Sequence, residues 1–196
     1  EYAYNGQNSY FRIAYNNAQG FGISKQTLLK RIIHDHCFNI VAITESKRDD
    51  DHPVTEILND YQWIGKNRKC SNGGGIGFLY NTKIVSINEN NLLNSLTDEF
   101  ERLWIDITIG SLTIALGVVY FPVDNKLEQY DAAQLLHNEI IQNVAELQQS
   151  YKHILVIGDF NGKVSAFLDG NKKSSNGKLI ENIIDATDLT LLNTDE

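Results

Sequence analysis

His153-Ile-Leu-Val-Ile157 runs directly into Gly158-Asp159-Phe160-Asn161. A short unbroken aliphatic run closed by turn-forming residues reads as a fully buried strand. Two polar side chains follow with one residue between them. In extended backbone, residues i and i+2 point to the same side. Asp159 and Asn161 then aim a carboxylate and a carboxamide at one point, where a packed sheet opens to solvent. A phosphate or metal site uses such a pair, and so does a plain Asx turn closing a buried strand. The other strand ends decide how the pair is read.

Working outward, the pattern predicts a strand over Phe11 to Tyr15 and then a helix. Ser24 is the expected N-cap, with Leu28, Leu29, Ile32 and Ile33 on one face. Ile40 to Ile43, Tyr61 to Gly65 and Gly75 to Tyr80 read as strands, the last with glycines that suggest close approach by another backbone. Asn81 to Glu99 is polar and Asn-rich and reads as a long surface connection. In Arg102 to Thr108, Leu103, Ile105 and Ile107 face one way, Trp104 and Asp106 the other. Leu112 to Tyr120 is apolar on both faces, joined to the previous strand by a turn at Ile109-Gly-Ser111. An amphipathic helix over Leu127 to Ser150 carries the stripe Tyr130, Ala133, Leu136, Ile140, Val144 and Leu147. A helix over Asn176 to Asp188 and a strand over Thr190 to Asn193 complete the pattern. Mixed hairpins and crossovers, with strands apolar on both faces, fit sheets packed on each other with helices outside.

The bulk composition sets limits. With 196 residues, 42% of them hydrophobic, the chain can form one domain over 1–196 with a proper core. It holds two prolines and no low-complexity tract, which argues against long disordered linkers. The longest apolar run, Leu112 to Pro122, is too short to span a bilayer, and no membrane partner is expected. The start has no basic-then-apolar secretory pattern, and the absence of Met suggests a fragment, or a domain cut from a longer polyprotein. Cys37 and Cys70 make no disulfide framework; both read as buried or semi-buried thiols of a reducing compartment, nuclear or cytoplasmic. His34 and His36 fall at a helix end, where they complement its dipole. The net charge of −8 disfavours broad adhesion to nucleic acid. It does not exclude a nuclease whose carboxylates hold a cation. Lys47, Arg48, Lys66, Arg68, Lys69, Lys172 and Lys173 all fall in expected loops.

Three further strand ends carry polar groups. The first strand leads into Asn16-Asn17-Ala-Gln-Gly20, the second ends Ile43-Thr-Glu45, and the central one ends Tyr120-Phe-Pro122. Glu45 is a natural ligand for a hard cation, or a solvated carboxylate facing Lys47 and Arg48. Asn17 orients a carboxylate or phosphate, or forms a turn before Gly20. Tyr120 donates to a phosphate oxygen, or belongs to the core rim. If the strands share an edge, these groups converge.

The order Asn17-x-x-Gly20, Ile43-Thr-Glu45, Tyr120-x-Pro122 and Gly158-Asp-Phe-Asn161 resembles the endonuclease/exonuclease/phosphatase superfamily. Within it, three segments look like the endonuclease domain of non-LTR retrotransposons. These are Gly73-Gly-Gly-Ile-Gly-Phe-Leu-Tyr80, Leu103-Trp-Ile-Asp-Ile107 and the helix-then-strand stretch from Asn176 to Asn193. The resemblance implies an α+β fold, a four-layer αββα sandwich of the DNase I type with its last strands missing. It implies a Mg²⁺- or Mn²⁺-dependent endonuclease that nicks target DNA for integration, with a reverse transcriptase domain on the same polyprotein. By similarity, Glu45 and Asn17 form the metal site. Asp159 positions or deprotonates the attacking water, Asn161 holds the phosphate and Tyr120 stabilises it. Asn176, Lys47 and Arg48 contact substrate.

Two departures from the family pattern stand out. The Ser-Asp-His motif of its last strands does not occur before Glu196, and Gln19 and Val123 stand where abasic-site repair enzymes often carry an acidic residue and an Asn. The chain as given is therefore expected to be weakly active or inactive, with an uncovered sheet edge. The rival readings are a phosphomonoesterase or phospholipase on the same scaffold, and a degenerate copy without catalysis.

Overall fold

The computed structural model describes residues 10–48, 59–67, 74–94, 101–123, 127–164 and 174–192. In chain order the elements are β1 (Ile13–Asn17), α1 (Ile23–His36), β2 (Ile40–Thr44), β3 (Tyr61–Lys66), β4 (Ile76–Asn81), β5 (Ser86–Glu89), α2 (Asn91–Asn94), β6 (Arg102–Ile109), β7 (Leu112–Tyr120), α3 (Leu127–Leu147), β8 (Ile154–Asp159) and α4 (Ser175–Thr187). They form two four-stranded sheets, ordered β1-β2-β4-β3 and β5-β6-β7-β8. In each sheet one edge pair is parallel, β1 with β2 and β7 with β8, and each pair is joined by a helical crossover. The remaining pairs are antiparallel.

Period-two alternation separates the layers. Ile40, Ala42, Ile76 and Phe78 of the first sheet pack against Leu103, Ile105, Ile107, Leu116 and Val118 of the second. The opposite faces take helices. Leu29 and Ile33 of α1 cover Val41, Ile43 and Leu79. Ala133, Leu136, Ile140 and Val144 of α3, with Leu179 and Ile183 of α4, cover Trp104, Ala115 and Val119. The result is the αββα sandwich expected from the sequence, with the stripe of α3 buried as read except at Tyr130, which is half-buried. No helix among the described residues is long and apolar enough to cross a membrane.

Several local expectations change. Helix α1 starts one residue before Ser24, and its N-cap is Gly22, with no side-chain capping bond. Leu28 and Ile32 are exposed and Gln26 is buried in their place, its amide donating to the Phe21 carbonyl. The segment expected to be a surface connection contains β5 and α2. Asn94 is buried there and exchanges two hydrogen bonds with the backbone of Trp104, both 2.9 Å, so an amide side chain imitates a neighbouring strand. Thr190 to Leu192 form no strand, and Asn193 lies outside the described residues. Cys37 is exposed rather than buried; Cys70, Arg68, Lys69, Lys172 and Lys173 lie outside the described residues. Lys66 is on β3 rather than in a loop. The glycines of β3 and β4 do allow the close backbone approach expected, a Cβ on Gly77 standing 2.5 Å from the Ile64 carbonyl oxygen, and they also make room for a ring: a Cβ on Gly65 or Gly77 would stand 2.5 Å from the indole of Trp63.

Candidate active site

Strands β1, β2, β7 and β8 all bring their C-terminal ends to one rim of the sandwich. Ile13 and Tyr15 of β1, Tyr120 of β7, and Leu155 and Ile157 of β8 pack against the core between the sheets. Alternation carries Asn17 and Asp159 onto the same faces, one step beyond the apolar packing. The polar groups therefore stand where the inter-sheet core reaches solvent.

Asn17 joins the two sheets. Its Nδ2 donates to Glu45 Oε1 and to Asp159 Oδ2, each at 2.8 Å. Those two oxygens are thus no further apart than twice that distance. Two carboxylates so placed repel by about 3 kcal/mol at an effective dielectric of about 20. Hydrogen bonds to charged groups contribute about 1.5–3 kcal/mol each, so the two from Asn17 offset the repulsion. The amide orientation is fixed by its other end, since Asn17 Oδ1 accepts the Gln19 N–H at 3.1 Å. A flipped amide would set oxygen against two carboxylates and NH₂ against an N–H. Asn17 therefore presents donors to the site, not the oxygen that a cation ligand needs, and its expected ligand role becomes a bridging one.

Asp159 is held at both oxygens. Oδ2 takes the Asn17 amide and Oδ1 takes the Asn161 backbone N–H at 3.0 Å. The second bond closes an Asx turn. Asn161 has φ +43° and leaves extended geometry, so the turn and the site are the same structure. Its Nδ2 donates to the Phe121 carbonyl at 2.8 Å. Glu45 follows the last residue of β2 with φ +51°, another left-handed non-glycine residue at the rim. Such backbone persists where surrounding bonds over-determine it. Here Gly20 N donates to Glu45 O at 2.7 Å and Ser46 N to Gly75 O at 2.9 Å.

Two tyrosines flank the carboxylates. Burial, opposed in part by a hydrogen bond with Thr44, pushes the Tyr15 phenol up to about 12, and the charges of Asp159 and Glu45 add to the rise. Burial also raises Tyr120, followed by the charges of Glu45, Asp159 and Glu101. Both phenols stay protonated at neutral pH and serve as donors. Tyr15, a site neighbour not foreseen from the sequence, meets Thr44 Oγ1 at 2.8 Å. Strand alternation from Asn17 was the signal for it.

The three residues expected to contact substrate divide. Asn176 is fully buried. Its amide donates to the carbonyls of Pro122, Asn161 and Phe160 at 2.8, 3.3 and 3.4 Å. It braces loops and faces no opening. The Arg48 guanidinium turns back onto the Phe21 carbonyl. Lys47 is exposed beside a shallow pocket of about 440 Å³ at the start of α1, shared with Lys25 and Arg48. A larger cleft of about 870 Å³ runs beside β1, β8 and α4, with Tyr15, Asp159 and Asn161 at its polar end and Ile13, Val156 and Ile183 in its walls.

Among the described residues no group of three or more His, Cys, Asp or Glu could hold a metal ion. A zinc-type centre finds no ligand set here. One or two carboxylates suit Mg²⁺, which keeps several waters and takes its remaining oxygens from a substrate phosphate. The oxygen donors of Glu45 and Asp159 fit that requirement.

No family model and no curated protein matches the sequence. Solved structures do. The 3′ phosphatase NExo from Neisseria, bound to a product DNA hairpin, is 14% identical with TM-score 0.68, over 90% of this chain and 71% of that one. The endonuclease domain of TRAS1, a telomere-specific non-LTR retrotransposon, is 15% identical with TM-score 0.65, over 89% and 71%. The AP endonuclease LMAP from Leishmania major is 12% identical with TM-score 0.71, over 90% and 66%. The chain has the endonuclease/exonuclease/phosphatase fold that these nucleases and phosphatases share.

Proposed function

We propose that this chain is a divalent-cation-dependent phosphodiesterase that nicks DNA. The observation that carries the reading is the Asn17 amide, which holds Glu45 and Asp159 together across two sheets at the rim. In this reading Glu45 is the principal ligand of Mg²⁺ or Mn²⁺. The bound cation supplies positive charge against that building on the phosphate oxygens. Asp159, fixed at both oxygens, has lone pairs left to orient a water and accept its proton. Tyr120 and the Asn161 amide are neutral donors beside it, suited to a phosphate oxygen. Lys47, exposed two residues after Glu45, is assigned to the DNA backbone.

The finer reading is the target-nicking domain of a non-LTR retrotransposon, with a reverse transcriptase on the same polyprotein. It is supported by the three sequence segments that resemble such domains and by the likeness to the TRAS1 domain. The likeness to a 3′ phosphatase keeps phosphomonoester hydrolysis as a second reading.

Supercoiled plasmid incubated with Mg²⁺ or Mn²⁺ tests the proposal. The expected result is weak nicking, in line with the expectation from the sequence, that EDTA abolishes and that Glu45→Gln or Asp159→Asn lowers by a further factor of about 100 or more. Release of inorganic phosphate from a 3′-phosphorylated oligonucleotide without nicking would favour the phosphatase. Nicking undiminished in Glu45→Gln would sink both.

A further inference from the structure

We infer that Asn176 is a positioning residue for catalysis, acting through the loops that carry Tyr120, Asp159 and Asn161. It deepens the nuclease reading, on which its kinetic readout rests. Asn176 lies in the first turn of α4 and has no exposed surface. Its Nδ2 faces carbonyls from both loops: Pro122 after β7, Phe160 and Asn161 after β8. The loops also touch directly. Phe121 N donates to Asp159 O at 2.8 Å, and Asn161 Nδ2 donates to Phe121 O at 2.8 Å. Asn176 adds the outer point of that fastening and ties both loops to a helix.

The neighbouring residues have the same purpose. Ser174 Oγ accepts from Gly177 N at 3.0 Å and from Lys163 N at 2.8 Å, so one hydroxyl caps α4 and holds the loop. A Cβ on Gly177 would stand 1.9 Å from Lys163 O. One on Gly162 would stand 3.0 Å from Gly177 N and 2.5 Å from Ile180 Cδ1. The backbone of 160–163 is seated against the first turn of α4 with no space for an added methyl.

The consequence follows from where the bonds end. Asn161 reaches the site through a left-handed residue, and such a conformation needs its surroundings to hold it. Removing the Asn176 amide leaves three inward-facing carbonyls short of a donor, and the loop shifts to find water. A misplacement of about 1 Å at a reacting group costs on the order of 100-fold in rate. Glu45 is held by other bonds and stays where it is.

The test compares wild type, Asn176→Ala and Leu179→Ala, the last a buried α4 residue that shares the core cluster of Phe121 and Phe160 but whose side chain can make no hydrogen bond to either loop. All are the full chain, assayed well below their melting temperatures. Amide hydrogen exchange is read at Phe121 and Asn161 and, as an internal control, at Gly20 and Ser46. Asn176→Ala should speed exchange at the first pair at least roughly 10-fold and leave the second pair unchanged. Its kcat for nicking should fall roughly 10- to 100-fold with KM within about twofold. Leu179→Ala should change neither exchange pattern nor kcat in this way. If Asn176→Ala does not fold, Asn176→Ser keeps one donor and should give a smaller shift in the same direction.

Unchanged exchange at Phe121 and Asn161 overturns the inference whatever the activity. So does an equal kcat loss in Leu179→Ala. Faster exchange in a protein whose wild type neither nicks DNA nor releases phosphate leaves the fastening in place and removes the nuclease reading instead.

Discussion

Glu45 and Asp159 reach the same rim from different sheets, and they are held there by different means. Beyond β2, backbone-to-backbone bonds do much of the holding. Gly20 N and Phe21 N donate to the carbonyls of Glu45 and Ser46, and Ser46 N and Lys47 N donate to those of Gly75 and Gly74. Beyond β8 side chains do much of the holding, through Asn161, Ser174 and Asn176. A backbone-held end tolerates side-chain changes around it. A side-chain-held end depends on residues that touch no substrate. The β2 end is thus the stable half of the candidate site and the β8 end the adjustable one.

The largest expected effect comes from breaking the β8 half at its backbone. Gly158 sits at φ +155°, and a Cβ there would stand 1.9 Å from the Val119 carbonyl oxygen, its parallel-strand neighbour. The contact is with main chain, so no rotamer change relieves it. Gly158→Ala should cost about 3 kcal/mol or more, from overpacking and from a conformation that L residues rarely adopt. Urea denaturation measures it. Gly75 offers the contrast in the β2 half: its added Cβ would meet Ser46 Oγ at 2.4 Å, a side-chain atom. A Ser46→Ala background should recover part of the Gly75→Ala loss and none of the Gly158→Ala loss. Equal recovery of both would erase the distinction between the halves.

The next effect concerns the bond that joins them. Asn17→Asp replaces the shared donor by a third carboxylate facing Glu45 and Asp159. The expected loss is about 2 kcal/mol in stability and about 100-fold in nicking. Added Mg²⁺ should raise the melting temperature of Asn17→Asp more than that of wild type, because a divalent cation offsets the added repulsion. Equal Mg²⁺ shifts in the two proteins would mean that Asn17 does not face both carboxylates.

The strand ends were legible from the sequence because burial patterns mark strands well. Aliphatic runs ending in Thr44-Glu45, Tyr120 and Asp159 placed the rim correctly, and alternation in 103–107 assigned its two faces. Directions of amides were not legible. An Asn in the first turn of a helix reads the same whether it faces a phosphate or three carbonyls, so the sequence assigns Asn176 to substrate. The orientation of Asn17 depends on partners 28 and 142 residues away. Asn94 escaped notice for a related reason: a polar residue in a polar segment gives no sign that it completes the hydrogen bonding of a strand. The helix start differs because Gly22 and Ser24 both permit capping, and Gly22 takes the position beside the buried Phe21.

The smallest expected effect compares one serine from each half, and the signs should be opposite. Ser46 is fully buried, and its Oγ has no hydrogen-bond partner among the described residues. Its backbone N–H and carbonyl carry the contacts of that half. Ser46→Ala removes a buried hydroxyl that gains nothing from folding, and should stabilise by about 1 kcal/mol with nicking unchanged. Ser174 Oγ accepts from both Gly177 N and Lys163 N. Ser174→Ala removes a helix cap and a loop anchor together, and should destabilise by about 1 kcal/mol with a measurable fall in kcat. Chemical denaturation of the two single variants and their double variant reads both signs, and independence of the halves makes the double variant additive. A loss of stability in Ser46→Ala would mean that its hydroxyl also holds Glu45, and that the β2 end relies on side chains as the β8 end does.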